Sequence, residues 1–355
     1  MISMIKINLY QPNGWVDVAS IKEAALTFNI IIGGRGTGKT FGFLEDVRYL
    51  HPTRFFFMRR TKVQADLIGN PEFSPFRPVD KKHGAISCIS KIKNCQGVSG
   101  VYDGEMQSDG TAEPKGPPVG YIGALASIHN VRGFSLDVDE MILDEFNPEP
   151  GERPIKNEFD VFRNAYETIN RNRELEGRDP LRCWLLSNSN QLGNPYFVGL
   201  RVVEIVDKMI QRGQSIYRDE RRGLMIVNLV DSPISAAKAT TALYRLSDDD
   251  NFSRMALGNQ FASESRSKTG SYPLQELIPI VRIGELQIYR HKGSHNLYGS
   301  THLSGNPDSY QTDDGSIARF RARYGWLWID YMNDRILWQN YVAELLFRRF
   351  FGESY

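Results

Sequence analysis

The sequence predicts an α/β domain built on a parallel sheet over residues 1–230, a helical linker over 231–270 and a small α+β domain over 271–355. Three observations carry that expectation. Short, wholly apolar runs end repeatedly in glycine-rich or polar clusters, the pattern of strands buried on both faces. Polar, helix-compatible segments occupy 231–270. After them, strand-like runs separated by turn signals resume.

Composition sets the outer bounds. Of 355 residues, 41% are hydrophobic and 24% charged, an ordinary globular balance with room for more than one domain. The formal net charge of +1 supplies no bulk field for nucleic acid, so such binding has to come from local basic patches or from several copies presenting them together. Cys88, Cys95 and Cys183 have no spacing that suggests a zinc site or a disulfide framework. No stretch approaches a membrane span, and the N-terminus lacks the apolar core of a signal peptide. The expected setting is a reducing cytoplasm, with no membrane partner.

The elements follow in order. A turn at Pro12-Asn13-Gly14 and a short helix over 21–26 precede the apolar run FNIII at 28–32, the expected first strand. GGRGTGKT follows at 33–40 and leads into a helix-compatible segment. Strand, glycine-rich turn and helix are the context that a G-x-x-x-x-G-K-[ST] match requires. Gly33, Gly34, Gly36 and Gly38 let the backbone curl, so that successive N–H groups, those of Arg35 and Thr37 included, face a phosphate chain backed by the helix dipole. Lys39 then neutralises the β- and γ-phosphates, and Thr40 offers its hydroxyl to Mg²⁺. The expected ligands are a nucleoside triphosphate, ATP, and Mg²⁺.

FFFM at 55–58 reads as the second strand of a βαβ unit, with Arg59, Arg60 and Lys62 at the edge where ligands bind in open α/β sheets. Hairpins are expected over 81–120, with a loop around 103–118, and a further strand begins at 121–125. The run at 141–146 ends in Asp144 and Glu145, the pattern of a Mg²⁺-holding acid followed by a base that polarises the attacking water. Phe159, Phe162, Tyr166 and Ile169 give a helical spacing over 158–173. The strand RCWLLSNSN at 182–190 has a polar end in which Asn188 is the candidate γ-phosphate sensor. A last strand of this domain lies at 225–230, and helices are expected over 235–246 and 248–260. Beyond 271, strands are expected at 286–290, 297–299, 325–331 and 335–339, with Asn333-Asp334 as a hairpin turn between the last two, then a helix over 341–351. Asp308, Asp313, Asp314, Asp330 and Asp334 are scattered, mostly in turn contexts.

Together the motifs resemble the DNA-packaging ATPases, or encapsidation proteins, of phi29-type tailed bacteriophages. The matching stretches are GGRGTGKT at 33–40, FFFMRRTK at 55–62, ILDEF at 142–146, RNRE at 171–174 and LRCWLLSNSNQLGNPYF at 181–197, within a resemblance spanning roughly residues 28–200. It implies a P-loop ATPase domain of the additional-strand, conserved-glutamate type, a short linker and a C-terminal domain like a degenerate ribonuclease H-like nuclease. The implied assembly is a homopentameric ring on the portal of a procapsid, driving double-stranded DNA inward in the infected host's cytoplasm, in some cases with a structural RNA. Carried over by motif, Lys39 and Thr40 hold phosphate and Mg²⁺, and Asp144 and Glu145 are the acidic pair. Arg171 is the arginine finger, and Lys62 is a basic residue that reaches a neighbouring subunit's nucleotide. Arg132 corresponds to another basic residue of that interface. The hairpin region at 81–120 looks longer than the family pattern, and the proline-rich 147–157 does not align.

DNA contact in such a motor is expected to be mostly to phosphates and independent of sequence, with Lys91, Lys93 and Lys115 among the candidate grips. The competing expectations are a terminase-like enzyme whose C-terminal domain still cuts DNA, and a ring component that binds nucleotide without turnover. Glu145 argues against the second.

Overall fold

The computed structural model describes residues 7–70, 72–93, 97–108, 111–131, 137–149, 152, 155–246, 257 and 269–352. The chain divides into two units, Met1–Asn190 with Met209–Ala262, and Gln191–Lys208 with Ser263–Tyr355. Among the described residues no helix is long and apolar enough to cross a membrane.

The first stretch of chain gives α1 (Val18–Glu23), β1 (Phe28–Gly33), α2 (Lys39–Glu45, continued by a π turn over Asp46–Leu50), β2 (Phe55–Arg59), α3 (Lys62–Ile68) and α4 (Phe76–His83). The strands β3 (Ser87–Lys91), β4 (Val98–Met106), β5 (Ala112–Ala124) and β6 (Glu140–Asp144) follow, then α5 (Glu158–Asn170) and β7 (Arg182–Ser187). After α6 (Pro195–Gly199) and α7 (Val203–Gln211) come β8 (Ile216–Asp219), β9 (Leu224–Leu229), α8 (Pro233–Lys238) and α9 (Ala242–Leu246).

Nine strands form one sheet in the order β3-β4-β5-β2-β6-β7-β1-β9-β8. The six from β5 to β9 run parallel, while β3, β4 and β8 are antiparallel to their neighbours. Ile31, Phe55, Phe57, Ile142, Trp184 and Leu186 pack in one core with Phe43 and Leu44 of α2 and with Phe76 and Val79 of α4. Residues of the other parity, such as Phe56, Met58, Met141, Leu143 and Leu185, are equally buried. Burial on both faces is why these strands read as continuous apolar runs. β1, β2, β6 and β7 all end at the same edge, so the chain segments leaving them converge there.

Two expectations in this unit change. The loop placed at 103–118 is largely a β-ribbon, in which Asp103–Met106 pairs with residues 112–115 of β5. Its residues are mostly exposed, so no apolar alternation marks it, and its prolines stand where β5 has a partner on one side only. The helix placed over 158–173 stops at Asn170, whose Oδ1 accepts from the Leu181 N–H at 2.8 Å and fixes the chain's exit. Arg171 then takes positive φ, 50°. The connector forms two short helices, α8 and α9, rather than one over 235–246, and the helix expected at 248–260 lies outside the described residues apart from residue 257.

In the second unit, β10 (Leu277–Ile283), β11 (Leu286–His291) and β12 (Leu297–Ser300) form an antiparallel meander. β13 (Asp308–Tyr310) lies parallel to β10, and β14 (Ile336–Trp338) lies parallel to β12, giving the order β13-β10-β11-β12-β14. The strand expected at 325–331 is a helix, Trp326–Met332, so no hairpin joins it to β14. Leu327 is fully buried, and Trp328 and Tyr331, three apart, both pack on Phe347 at 6.2 and 5.5 Å between ring centroids. A short apolar run carries no period of its own; packing on the closing helix, Tyr341–Phe350, selects helix here.

Candidate functional site

The site lies at the C-terminal edge of the parallel strands, the ligand edge of open α/β sheets. β1 stops at Gly33, and the chain turns through Gly36 (φ 68°) and Gly38 (φ 93°) before α2 begins at Lys39. These two angles lie in the left-handed region that side chains resist. Both glycines are also crowded from outside the motif. A Cβ on Gly38 would sit 2.9 Å from Trp15 Cε3, and one on Gly36 only 1.9 Å from Lys238 Nζ.

Lys39 is buried within the turn. Its Nζ donates to the carbonyls of Gly33 (3.0 Å) and Gly34 (2.9 Å) and to Asn188 Oδ1 (3.2 Å). Burial pushes its ammonium down to about 8, partly offset by Asp144 and Glu145. The structure thus brings Asn188, just past the end of β7, against the loop lysine.

Thr40 donates its hydroxyl to Asp144 Oδ2 at 2.9 Å. Asp144, at the end of β6, is almost fully buried, and Arg59 from the adjacent β2 pairs with the same oxygen at 3.0 Å. The other arm of Arg59 pairs with Glu145. Glu145 has positive φ, 56°, which turns the chain at the strand end. Burial of its surroundings raises the Glu145 carboxyl above the usual range; Arg59 opposes that shift, and Asp144, Glu149 and Glu152 add to it.

Lys39, Thr40, Asp144, Glu145 and Asn188 line one cavity of about 480 Å³, together with Trp15, Arg35, Phe41, Glu149, Ser187 and Lys238. Arg35 pairs with Glu149, and its carbonyl accepts from Lys238 Nζ at 3.1 Å. The sequence expectations do not include Trp15 and Lys238, which lie far from the motifs along the chain, or Glu149, which falls in the proline-rich segment 147–157 that does not align. The sequence predicts Arg59 at this edge, and the structure adds its pairing with both acids.

The two residues assigned to a neighbour's nucleotide do not line this cavity. Lys62 is exposed at the first position of α3, behind a capping box formed by Thr61 and Gln64. Arg171 is exposed in the turn after α5. That turn is pinned by Arg173, which donates to the Val138 carbonyl and pairs with Asp139 Oδ1 at 2.8 Å. Asp139 precedes β6, whereas Asp144 ends it, so a strand rise of roughly 3.3 Å per residue puts the turn about 16 Å along the sheet from the acids. Arg60 is fully buried and grips both oxygens of Glu158 at 2.7 and 2.8 Å, which anchors α5. Lys91, Lys93 and Lys115 are exposed on the β3–β5 hairpins, Lys115 pairing with Glu105 at 3.5 Å. Arg132 lies outside the described residues.

Fold and site define a mixed α/β protein with a large sheet and a phosphate-loop-like cavity at its ligand edge. The model of the podovirus DNA encapsidation protein (Gp16) family matches residues 127–270. The chain is 26% identical over 268 residues to the DNA packaging protein of Bacillus phage B103, covering 72% of this chain and 73% of that one. It is 31% identical over 132 residues to the DNA packaging protein of Bacillus phage phi29, covering 37% of this chain and 36% of that one. The solved Phi-28 gp11 DNA packaging motor has a similar fold, with TM-score 0.63 and 18% identity over 97% of this chain and 100% of that one. The chain resembles the phi29-type DNA-packaging proteins.

Proposed function

We propose that this protein is an ATPase that drives double-stranded DNA into a phage procapsid. The observation that carries this reading is the convergence of Lys39, Thr40, Asp144, Glu145 and Asn188 on one cavity at the strand ends. Lys39 and the turn's N–H groups bind the phosphates. Asn188 holds Lys39 and stands ready for the terminal phosphate. Glu145, its carboxyl raised above the usual range, accepts a proton from the attacking water.

A hydroxyl and a carboxylate oxygen 2.9 Å apart are a fitting donor pair for Mg²⁺, which takes hard oxygen ligands. Thr40 and Asp144 would hold it, and when bound it neutralises charge on the β- and γ-phosphate oxygens. Arg59 shares Asp144 Oδ2 and Glu145. It therefore competes for the metal-holding oxygen and restrains the base, so hydrolysis depends on Arg59 letting go.

The position of β7 between β1 and β6 supports the additional-strand, conserved-glutamate subtype. In the homo-oligomeric ring of this reading, a pentamer, Lys62 and Arg171, exposed and outside the cavity, reach a neighbour's nucleotide. An arginine supplied that way is worth about 10³–10⁵ in rate and makes hydrolysis depend on assembly. The ring docks transiently on the portal in the host cytoplasm, where a structural RNA can take part, and grips DNA through phosphates without sequence preference.

The C-terminal unit is read as a vestigial nuclease. Asp308 is taken by Tyr324 (2.8 Å) and Arg323 (2.9 Å), Asp330 by Arg335 (3.3 Å), and Asp313 caps a helix through Ser316 N–H (2.9 Å).

Purified protein mixed with procapsids and linear double-stranded DNA tests the reading. ATP-dependent protection of the DNA from added nuclease is expected, lost in Lys39→Ala. ATP turnover with no protected DNA would contradict it.

A further inference from the structure

The motif residues make only part of the cavity wall. Lys238, the last residue of α8, reaches the phosphate loop from a distant part of the chain. Its Nζ donates to the Arg35 carbonyl at 3.1 Å and fills the space that a Cβ on Gly36 would need. A carbonyl is a neutral acceptor. A phosphate oxygen at the same rim carries charge and makes a shorter bond of roughly twice the strength. Lys238 and Arg35 line the same cavity as Lys39 and both act on its ammonium, an arrangement suited to a polyanion.

A second observation places Lys238 in a larger body. α8 starts behind a Ser232 cap, and its first turn packs on the N-terminal turn. A Cβ on Gly14 would lie 3.1 Å from Pro233 Cβ and 3.5 Å from Ile234 Cδ1. Tyr10 OH donates to the Val230 carbonyl at 2.8 Å, just before α8. The same N-terminal turn carries Trp15, which covers Gly38. Thus α8 and the N-terminal turn are packed together and touch the loop at two points, Lys238 at Gly36 and Trp15 at Gly38.

We propose that Lys238 is a further phosphate-binding residue of this site. It exchanges the Arg35 carbonyl for an oxygen of the triphosphate tail and so ties α8, the first helix after β9, to nucleotide occupancy. This rests on the ATP-site reading above.

The test measures ATP and ADP dissociation constants on the full chain for the wild type, Lys238→Met, Lys238→Arg and Lys39→Met, with thermal unfolding of each as a folding control. Lys238→Met is expected to weaken ATP binding by about 10- to 100-fold, the range for a lost hydrogen bond to a charged group. ADP is expected to weaken less, and Lys238→Arg to recover most of the ATP affinity at an unchanged melting temperature. Unchanged ATP affinity in Lys238→Met, an equal loss for ATP and ADP, or a loss that arginine does not repair overturns the proposal while leaving the site reading intact. If the wild type binds ATP no better than Lys39→Met, the nucleotide site itself is wrong and the proposal falls with it.

Discussion

Arg59 Nη2 stands 3.0 Å from Asp144 Oδ2, the oxygen that also accepts the Thr40 hydroxyl proton. A guanidinium therefore occupies the acid proposed to hold Mg²⁺, and its other arm pairs with Glu145, the proposed base.

Removing that guanidinium frees both acids. Arg59→Met is expected to lower the Mg²⁺ concentration needed for half-maximal ATP hydrolysis by roughly tenfold, equivalent to about 1.4 kcal/mol. It is also expected to move the acid limb of the pH–rate profile upward, because Arg59 now holds the Glu145 carboxyl down against burial. A Mg²⁺ titration of hydrolysis at several pH values reads both effects.

Glu145→Gln is expected to cut hydrolysis by about 10²–10⁴ while ATP still binds. Its effect on stability has a definite sign. A carboxyl raised in the folded state contributes stability below its unfolded value and loses it as pH rises through the folded value. The glutamine variant keeps that contribution, so its melting temperature should exceed the wild type's at pH 8 and match it at low pH.

Lys39 titrates near 8 in the folded chain, lowered by burial. ATP needs the ammonium, so apparent affinity should fall as pH rises above about 8, with a slope approaching tenfold per unit. The fold responds in the opposite sense. A lysine lowered on folding binds fewer protons than in the unfolded chain, so its contribution to stability grows between about 8 and its ordinary value. ATP titrations and urea midpoints across that range check the two signs.

Arg60 and Glu158 form a buried, two-armed pair, so truncating Arg60 leaves a buried carboxylate without its guanidinium. Arg60→Ala is expected to destabilise the first unit by about 3–5 kcal/mol in urea unfolding. Lys62→Ala, two positions on and exposed, should stay within about 0.5 kcal/mol.

The contrast between Arg59 and Arg60 shows where sequence reading ends. Successive strand residues face opposite sides of a sheet, so one arginine meets the acids and its neighbour anchors a helix, and the string FFFMRR does not say which. The phosphate loop, Asp144, Glu145 and Asn188 were legible because each ends an apolar run whose burial is local to the sequence. Trp15 and Lys238 were not, since only the packing of the N-terminal turn on α8 brings them to Gly38 and Gly36. The helix Trp326–Met332 reads as a strand in the sequence for a related reason: its aromatic residues select a conformation only once Phe347 is in place.

In the proposed ring, the cavity of one chain is completed by Arg171 of another. Mixing Arg171→Ala chains with Lys39→Ala chains and measuring ATP hydrolysis with DNA and procapsids tests it most directly. Each variant alone should be inactive, and the mixture should recover part of the wild-type rate, because an intact Lys39 cavity then meets an intact Arg171. No recovery at any mixing ratio, in mixtures shown by cross-linking to contain both chains in one assembly, would contradict it.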